Sequence, residues 1–254
     1  MEPQNYIYGI HPVIEAIDSG KNIDKIYLQK GLGLQLHGVN YKRLQEKINR
    51  HKIPFKWVPR EKLRSLTLKN HQGVFAFIST IEFNCIGDII PRLYENGKNP
   101  LVLILDRITD VRNFGSIVRT AECGDVDAIL IPSIGSTLIN SEAIKSSSGA
   151  MLKLPICREM DLYKSLLILK KYGIQLVAVS EKAFSTFYEL DLDLSLPIGF
   201  IIGNEQYGID SSYLSLIDKQ VKLPMFGKVS SLNVSVVCGV LIYEVLRRRY
   251  SKET

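Results

Sequence analysis

Cysteine is scarce in this chain and widely scattered. The four, Cys85, Cys123, Cys157 and Cys238, include no C-x-x-C pair. A disulfide framework or a zinc site is therefore not expected, and a reducing cytoplasm fits. Long apolar runs are also missing: none approaches the roughly 18–20 residues that cross a bilayer. The N-terminal MEPQNYIYGIHPVIEAIDSG has no basic start followed by an apolar stretch, so neither a signal peptide nor a membrane partner is expected. Histidine is confined to positions 11, 37, 51 and 71, which leaves the rest of the chain without an imidazole for catalysis. Several motifs are absent as well. There is no G-x-x-x-x-G-K-[ST] loop, no G-x-S-x-G elbow and no H-x-x-x-H, and Gly31-Leu32-Gly33 lacks the third glycine of a dinucleotide loop. These absences disfavour a P-loop NTPase, a nicotinamide-dependent oxidoreductase on an ordinary Rossmann sheet, an α/β-hydrolase and a metal centre.

What is present is an ordinary globular composition. The 254 residues are 46% hydrophobic and 23% charged, which excludes disorder and coiled coil and is enough for two domains. Net charge is +6 and unevenly placed. Positions 42–69 hold ten Lys or Arg against Glu46 and Glu61, a local +8, so the rest of the chain sums to −2. A local basic surface suits a polyanion such as nucleic acid. A solvated helix face is the alternative.

The first 80 residues alternate between the two element types. Helices are predicted from Gly9-Ile10-His11-Pro12, over 39–50 with Val39, Leu44 and Ile48 inward, and over 60–67. Strands are predicted at 25–28, 55–58 and 73–78. Phe55 and the lone Trp57 are expected in the core, with a binding role as the alternative. Residues 83–99, which include a short amphipathic helix, read as a linker between domains at 1–82 and 100–254. The second part opens with Leu101–Leu105 and repeats apolar runs at 128–131, 175–179 and 198–202. Strands apolar on both faces belong to a parallel sheet covered by helices. The helices are predicted at 112–122, 140–147, 160–172, 210–217 and 233–249.

Ligands of such sheets bind at the carboxyl ends of the strands, and three loops there gather polar residues and glycine. The first is Asp106–Arg119, in which Asn113-Phe114-Gly115 reads as a tight turn into a helix. The second is Gly203-Asn204-Glu205-Gln206-Tyr207-Gly208. The third runs from a short strand at Leu223-Pro224-Met225 through Gly227 to Ser231-Leu232-Asn233-Val234-Ser235. Taken singly, each reads equally as a capped helix or an ordinary turn.

Together and in this order, the loops resemble the three motifs of the SpoU (TrmH-like) family of RNA ribose 2′-O-methyltransferases. N-x-G-x-x-x-R is Asn113, Gly115 and Arg119; G-x-E-x-x-G is Gly203, Glu205 and Gly208; P-M-x-G with S-L-N-V-S is Pro224 to Ser235. Ser146–Ala150 is similar to the family's S-x-G-A stretch. Tyr8–Ala16 and His71–Val74 resemble the ends of its L30e-like substrate-binding domain. Val111 and Gln206 depart from the residues common at those places, without removing a polar group from the site.

The resemblance implies an α/β architecture in which a small L30e-like domain precedes a parallel-sheet domain tied in a trefoil knot. General topology rules alone predict an unknotted sheet. It implies S-adenosylmethionine as cofactor, with Gly203, Leu223 and Leu232 in contact with it, and a homodimer built through the methyltransferase domain. It implies a catalytic set of Arg119, Asn113, Glu205, Ser231 and Asn233. The implied substrate is RNA, a guanosine of 23S rRNA by the two-domain layout, with tRNA as the alternative. A non-catalytic RNA-binding protein on the same fold is a further alternative. A guanidinium holds its protons in proteins, so Arg119 is expected to stabilise developing alkoxide and phosphate charge rather than to act as the base.

Overall fold

The computed structural model describes residues 6–31, 39–189 and 193–250; His37 lies outside them. The chain divides into two compact units, one of residues up to 82 with 138–140, the other of 83–137 and 141 onward.

The first unit contains β1 (Tyr6–Tyr8), α1 (Ile10–Asp18), β2 (Ile23–Gln29), α2 (Val39–Arg50), β3 (Phe55–Val58), α3 (Arg60–Leu66) and β4 (Val74–Ile78). The sheet order is β1-β4-β2-β3. β4 is antiparallel to both neighbours, and β3 runs parallel to β2 at the edge. In β2, Ile26 and Leu28 alternate with Tyr27, so one face joins the α1–α2 core and the other meets Val58, Leu63 and Phe75. In α2 the inward residues are Tyr41, Leu44 and Ile48. Val39, expected inward, is exposed, because it stands five positions before Leu44, well off that stripe. Phe55 and Trp57, expected in the core, are also exposed, because β3 is an edge strand.

The start of α1 is held by the loop before β4. The Gly9 N–H donates to the Val74 carbonyl at 2.9 Å, and the Ile10 N–H to Gln72 Oε1 at 3.1 Å. Thus the two sequence stretches resembling the ends of a substrate-binding domain lie side by side. His71 is buried in this loop, and its Nδ1 accepts from the Gly73 N–H at 3.0 Å. That bond requires a neutral ring. Burial, then Arg60 and Arg64, push the His71 pKa below its ordinary 6.5. Unfolded histidine gains a proton below that value while folded His71 does not, so stability is full above pH 6.5 and is lost as pH falls through it. Thermal melting of the protein across pH 5–8 is expected to show this loss, and His71→Gln to flatten it.

The second unit is a six-stranded parallel sheet of order β10-β8-β9-β5-β6-β7. Its strands are β5 (Leu101–Leu105), β6 (Ala128–Pro132), β7 (Ile156–Glu159), β8 (Gln175–Val179), β9 (Ile198–Ile202) and β10 (Lys219–Val221). β5, β6 and β9 are buried at every position, each fully buried aliphatic side chain contributing about 1.5–3 kcal/mol. The helices are α4 (Ile86–Glu95), α5 (Val111–Cys123), α6 (Ser141–Ser146), α7 (Leu162–Lys171) and α8 (Val234–Tyr250).

Residues 83–99, read from the sequence as a linker, lie in this unit. Ile86 and Ile90 of α4 are buried with Val102, Ile104, Leu166 and Leu169, so the amphipathic stripe noted there covers the sheet. The segment expected as an α-helix at 210–217 is a 3-10 helix over Ser211–Leu216, opened by Asp210, which accepts from the Ser212 N–H at 3.0 Å. The short strand expected at 223–225 lies just earlier, as β10. α5 and α8 approach closely: a Cβ on Gly124 would meet Ile242 Cγ2 at 2.2 Å. At the far end of α8, the Arg249 guanidinium donates to the carbonyls of Leu194, Asn99 and Leu196 at 2.8–3.1 Å, which ties the last turn to the segments that lead into β9 and β5. Cys157 and Cys238 are free and buried, and burial pushes both thiols up to about 12.

Candidate active site

The sheet order places β5 and β9 side by side, with β8 and β10 beyond. Their carboxyl-end loops therefore meet, as expected at a crevice of an open α/β sheet. Asp110, just before α5, accepts from the N–H groups of Arg112 and Asn113 at 2.9 and 2.8 Å. Asn113 is thus the third residue of the helix rather than part of a turn. Gly115 is required by packing. A Cβ there would lie 1.8 Å from Ser146 Oγ, so this glycine lets α5 close on α6 and the following Ser147–Ala150 stretch.

The loop after β9 folds around Asn204. Its Oδ1 accepts from the Gln206 and Tyr207 N–H groups at 2.8 and 3.1 Å, and its carbonyl accepts from Gly208 N–H at 2.8 Å. Such a side chain mimics a backbone turn. Gly203 sits against the other arm of this turn, and a Cβ on it would fall 2.2 Å from Gly208 C. The third loop ends on Asn233, which caps α8: its Oδ1 accepts from Ser235 N–H at 2.9 Å and Oγ at 2.6 Å.

Side chains then join the three loops. Asn233 Nδ2 donates to Asn113 Oδ1 at 3.0 Å, and Asn113 Nδ2 donates to Glu205 Oε1 at 3.0 Å. Asn113 and Asn233 are 120 residues apart. Glu205 is exposed; its second oxygen is available to accept from a ligand hydroxyl. Beside this row lies a cleft of about 990 Å3. Of the residues singled out in the sequence, Gly203, Glu205, Leu223, Ser231, Leu232 and Asn233 line it. Asn113 reaches it only through Glu205 and Asn233. Arg119 does not line it. Six residues beyond Asn113 on α5, Arg119 is exposed, and its side chain forms no hydrogen bond or ion pair among the described residues.

Two residues missed in the sequence organise this corner. Asp106, fully buried at the end of β5, accepts from Arg107 Nε and Nη2, both at 2.9 Å, and from the Asp210 N–H at 2.8 Å. Arg107 also donates to the Gly208 carbonyl at 3.2 Å, and its own carbonyl accepts from Asn204 Nδ2 at 2.9 Å. The bond to Asp106 raises the Arg107 pKa, and the Ser212 backbone and hydroxyl, then Arg107, hold Asp210 below the usual carboxylate value. Arg107 adopts φ 60° without being glycine, a strain of order 1–3 kcal/mol that its contacts offset. The signal available was a charged pair directly after a buried strand. Arg107→Ala is expected to cost about 2 kcal/mol, because it leaves the buried Asp106 carboxylate short of donors, and to loosen the Gly203–Asp210 loop. Thermal melting and ligand titration check both.

Comparison with known proteins identifies the architecture. The family model described as "SpoU rRNA Methylase family" matches residues 100–243. A second, "RNA 2'-O ribose methyltransferase substrate binding", matches residues 6–83. The chain belongs to the SpoU/TrmH family of RNA methyltransferases. A putative TrmH family tRNA/rRNA methyltransferase of Staphylococcus epidermidis is 33% identical over 97% of both chains. The putative TrmH family tRNA/rRNA methyltransferase YacO of Bacillus subtilis is 32% identical over 98% of this chain and 97% of its own. Among solved structures, the SpoU methyltransferase AviRb from Streptomyces viridochromogenes, crystallised with AdoMet, aligns with a TM-score of 0.59 at 22% identity. That alignment covers 97% of this chain and 90% of AviRb, and it supports the fold. The SpoU/TrmH chain thus has the parallel α/β sheet and the N-terminal substrate-binding domain of its relatives.

Proposed function

We propose that this SpoU/TrmH chain transfers a methyl group from S-adenosylmethionine to a ribose 2′-hydroxyl of RNA, with a guanosine of 23S rRNA as the preferred target. The observation that carries this reading is the row Asn233–Asn113–Glu205, which closes the three motif loops beside one cleft. The cleft suits the cofactor. Apolar Leu223, Leu232 and Val237 offer a slot for a purine, and the carboxylates of Glu181 and Glu205 suit a sulfonium cation. When bound, S-adenosylmethionine supplies an already activated methyl group.

The chain's own task is positional and electrostatic. The reacting oxygen must sit in line with the methyl group at about 3–3.5 Å. Glu205, oriented by Asn113, accepts a hydrogen bond from the ribose and fixes it. Asn233 holds Asn113 and the start of α8 together. Ser231 lies in the same wall and adds a hydroxyl toward the substrate. Arg119, not neutralised by an acidic neighbour, binds the adjoining phosphate and stabilises the developing alkoxide, while the proton leaves to phosphate or water. The first unit serves as an L30e-like RNA-binding module, its basic 42–69 stretch meeting phosphates.

Two structural features complete the reading. The second unit is tied in a trefoil knot, a reading supported by the chain's membership of the SpoU/TrmH family. A homodimer forms through the second unit, supported by exposed Val236 and Tyr243 along α8. The setting is the cytoplasm. The relatives' joint tRNA/rRNA description keeps tRNA as the second substrate.

Labelled methyl transfer from S-adenosylmethionine to unmodified 23S rRNA and to tRNA transcripts, run side by side, tests the reading. Label in the rRNA is expected. Label in tRNA alone replaces the substrate, and cofactor binding with no transfer to either RNA marks a protein that only binds.

A further inference from the structure

The basic first unit carries an aromatic pair that the folded chain leaves uncovered. Phe55 and Trp57 are 40% and 37% exposed on β3. They share one face of the strand, and their rings meet edge to face, with centroids 6.2 Å apart and planes at 88°. Large apolar rings on a surface cost free energy unless something covers them. Among the described residues β3 pairs only with β2, and none of them pairs with its outer edge. The surroundings are cationic. Lys52 precedes the strand, and Lys30 donates its N–H to the Val58 carbonyl at 2.9 Å at the strand's end, while Lys56, between the two rings in sequence, projects from the opposite face and reaches phosphates only around the strand's edge. None of these lysines forms an ion pair with an acid among the described residues, whereas Arg43 and Lys47 on α2 do pair with Asp18.

We propose that Phe55 and Trp57 form a stacking platform for unpaired nucleotides of the RNA substrate, flanked by lysines that meet its phosphates. The inference rests on the RNA-methyltransferase reading and adds which part of the RNA the first unit takes. Aromatic faces accept bases only where those bases are free of the helix, so the platform selects single-stranded loops or bulges over duplex. A protein strand added to the edge is the less fitting occupant, because Lys56 in mid-strand opposes edge-to-edge pairing.

Trp57 is the only tryptophan of the chain, so its fluorescence reports this surface in the unmodified protein. Titration with single-stranded oligoadenylate is expected to quench it, and a matched RNA duplex to leave it almost unchanged. Phe55→Ala and Trp57→Ala should each weaken oligoadenylate binding about tenfold without altering the salt dependence, since stacking releases no counterions. Trp57→Tyr should restore most of the affinity. Lys52→Gln with Lys56→Gln should instead flatten the salt dependence. Oligoadenylate bound, by anisotropy, with Trp57 emission unchanged would overturn the platform while leaving the RNA reading intact. Equal affinity of the alanine variants would do the same. Absence of any RNA binding, with no methyl transfer to RNA, would overturn both.

Discussion

Arg119→Lys is expected to lower kcat about 100-fold while leaving the affinity for S-adenosylmethionine unchanged. Lysine keeps the positive charge but loses the planar fork that grips a phosphate and a developing oxyanion together. Losing one such donor typically costs 100- to 1,000-fold. Arg119 is exposed and stands outside the cleft, so the cofactor titration should not move. Single-turnover methylation with saturating cofactor separates the two quantities. Turnover near that of the unaltered protein would remove Arg119 from the geometry and leave it a surface arginine. A parallel loss of cofactor affinity would mean that α5 had shifted rather than that a phosphate contact had gone.

Gly203→Ala is expected to weaken cofactor binding by more than tenfold and to lower the melting temperature. The added methyl would sit 2.2 Å from Gly208 C and 2.3 Å from Ile209 N. Both are backbone atoms, so no flexible side chain can yield, and the whole turn must move. Overpacking of this kind costs about 1–3 kcal/mol. The displaced turn carries Glu205, whose bond to Asn113 links it to Asn233, so the cleft wall loosens with it. Gly87→Ala is the matched control. Its Cβ would meet only Cys85 Sγ, at 3.8 Å, within helix α4, and alanine there should be neutral or stabilising. Calorimetric titration with S-adenosylmethionine and thermal melting of both variants check the contrast.

Much of the second unit is legible in its sequence. The buried parallel strands announce themselves because both faces are covered, which makes β5, β6 and β9 continuous apolar runs. β1, β7 and β10 were not legible in the same way. They are three or four residues long, and pairing rather than composition makes them strands. Residues 83–99 show the opposite failure. The polar residues and proline near their end read as a break, yet Ile86 and Ile90 anchor the stretch to the sheet. Trp57 was misplaced because hydrophobicity says that a ring prefers burial, not whether its strand lies at an edge.

The site was legible as three loops in order, and the structure adds what joins them. No spacing rule connects Asn113 to Asn233 across 120 residues; only the meeting of strand ends does. Asp106 and Arg107 escaped notice for a related reason. Their importance lies in what they hold, the Gly208 carbonyl and the Asp210 N–H, and those partners are about a hundred residues away. Arg119 was placed by resemblance at the reacting hydroxyl, whereas its side chain stands apart from the cleft.

The central claim concerns which atom receives the methyl group. A methylated ribose 2′-oxygen cannot attack the neighbouring phosphate, so the bond beside it survives alkali, whereas methylation of a base leaves that bond cleavable. Labelled 23S rRNA transcript from the transfer reaction should be hydrolysed in alkali and read at nucleotide resolution. The expected result is a single resistant linkage, 3′ to a guanosine, that carries the label. Label recovered in fully cleaved mononucleotides would contradict it, since the methyl group would then lie on a base.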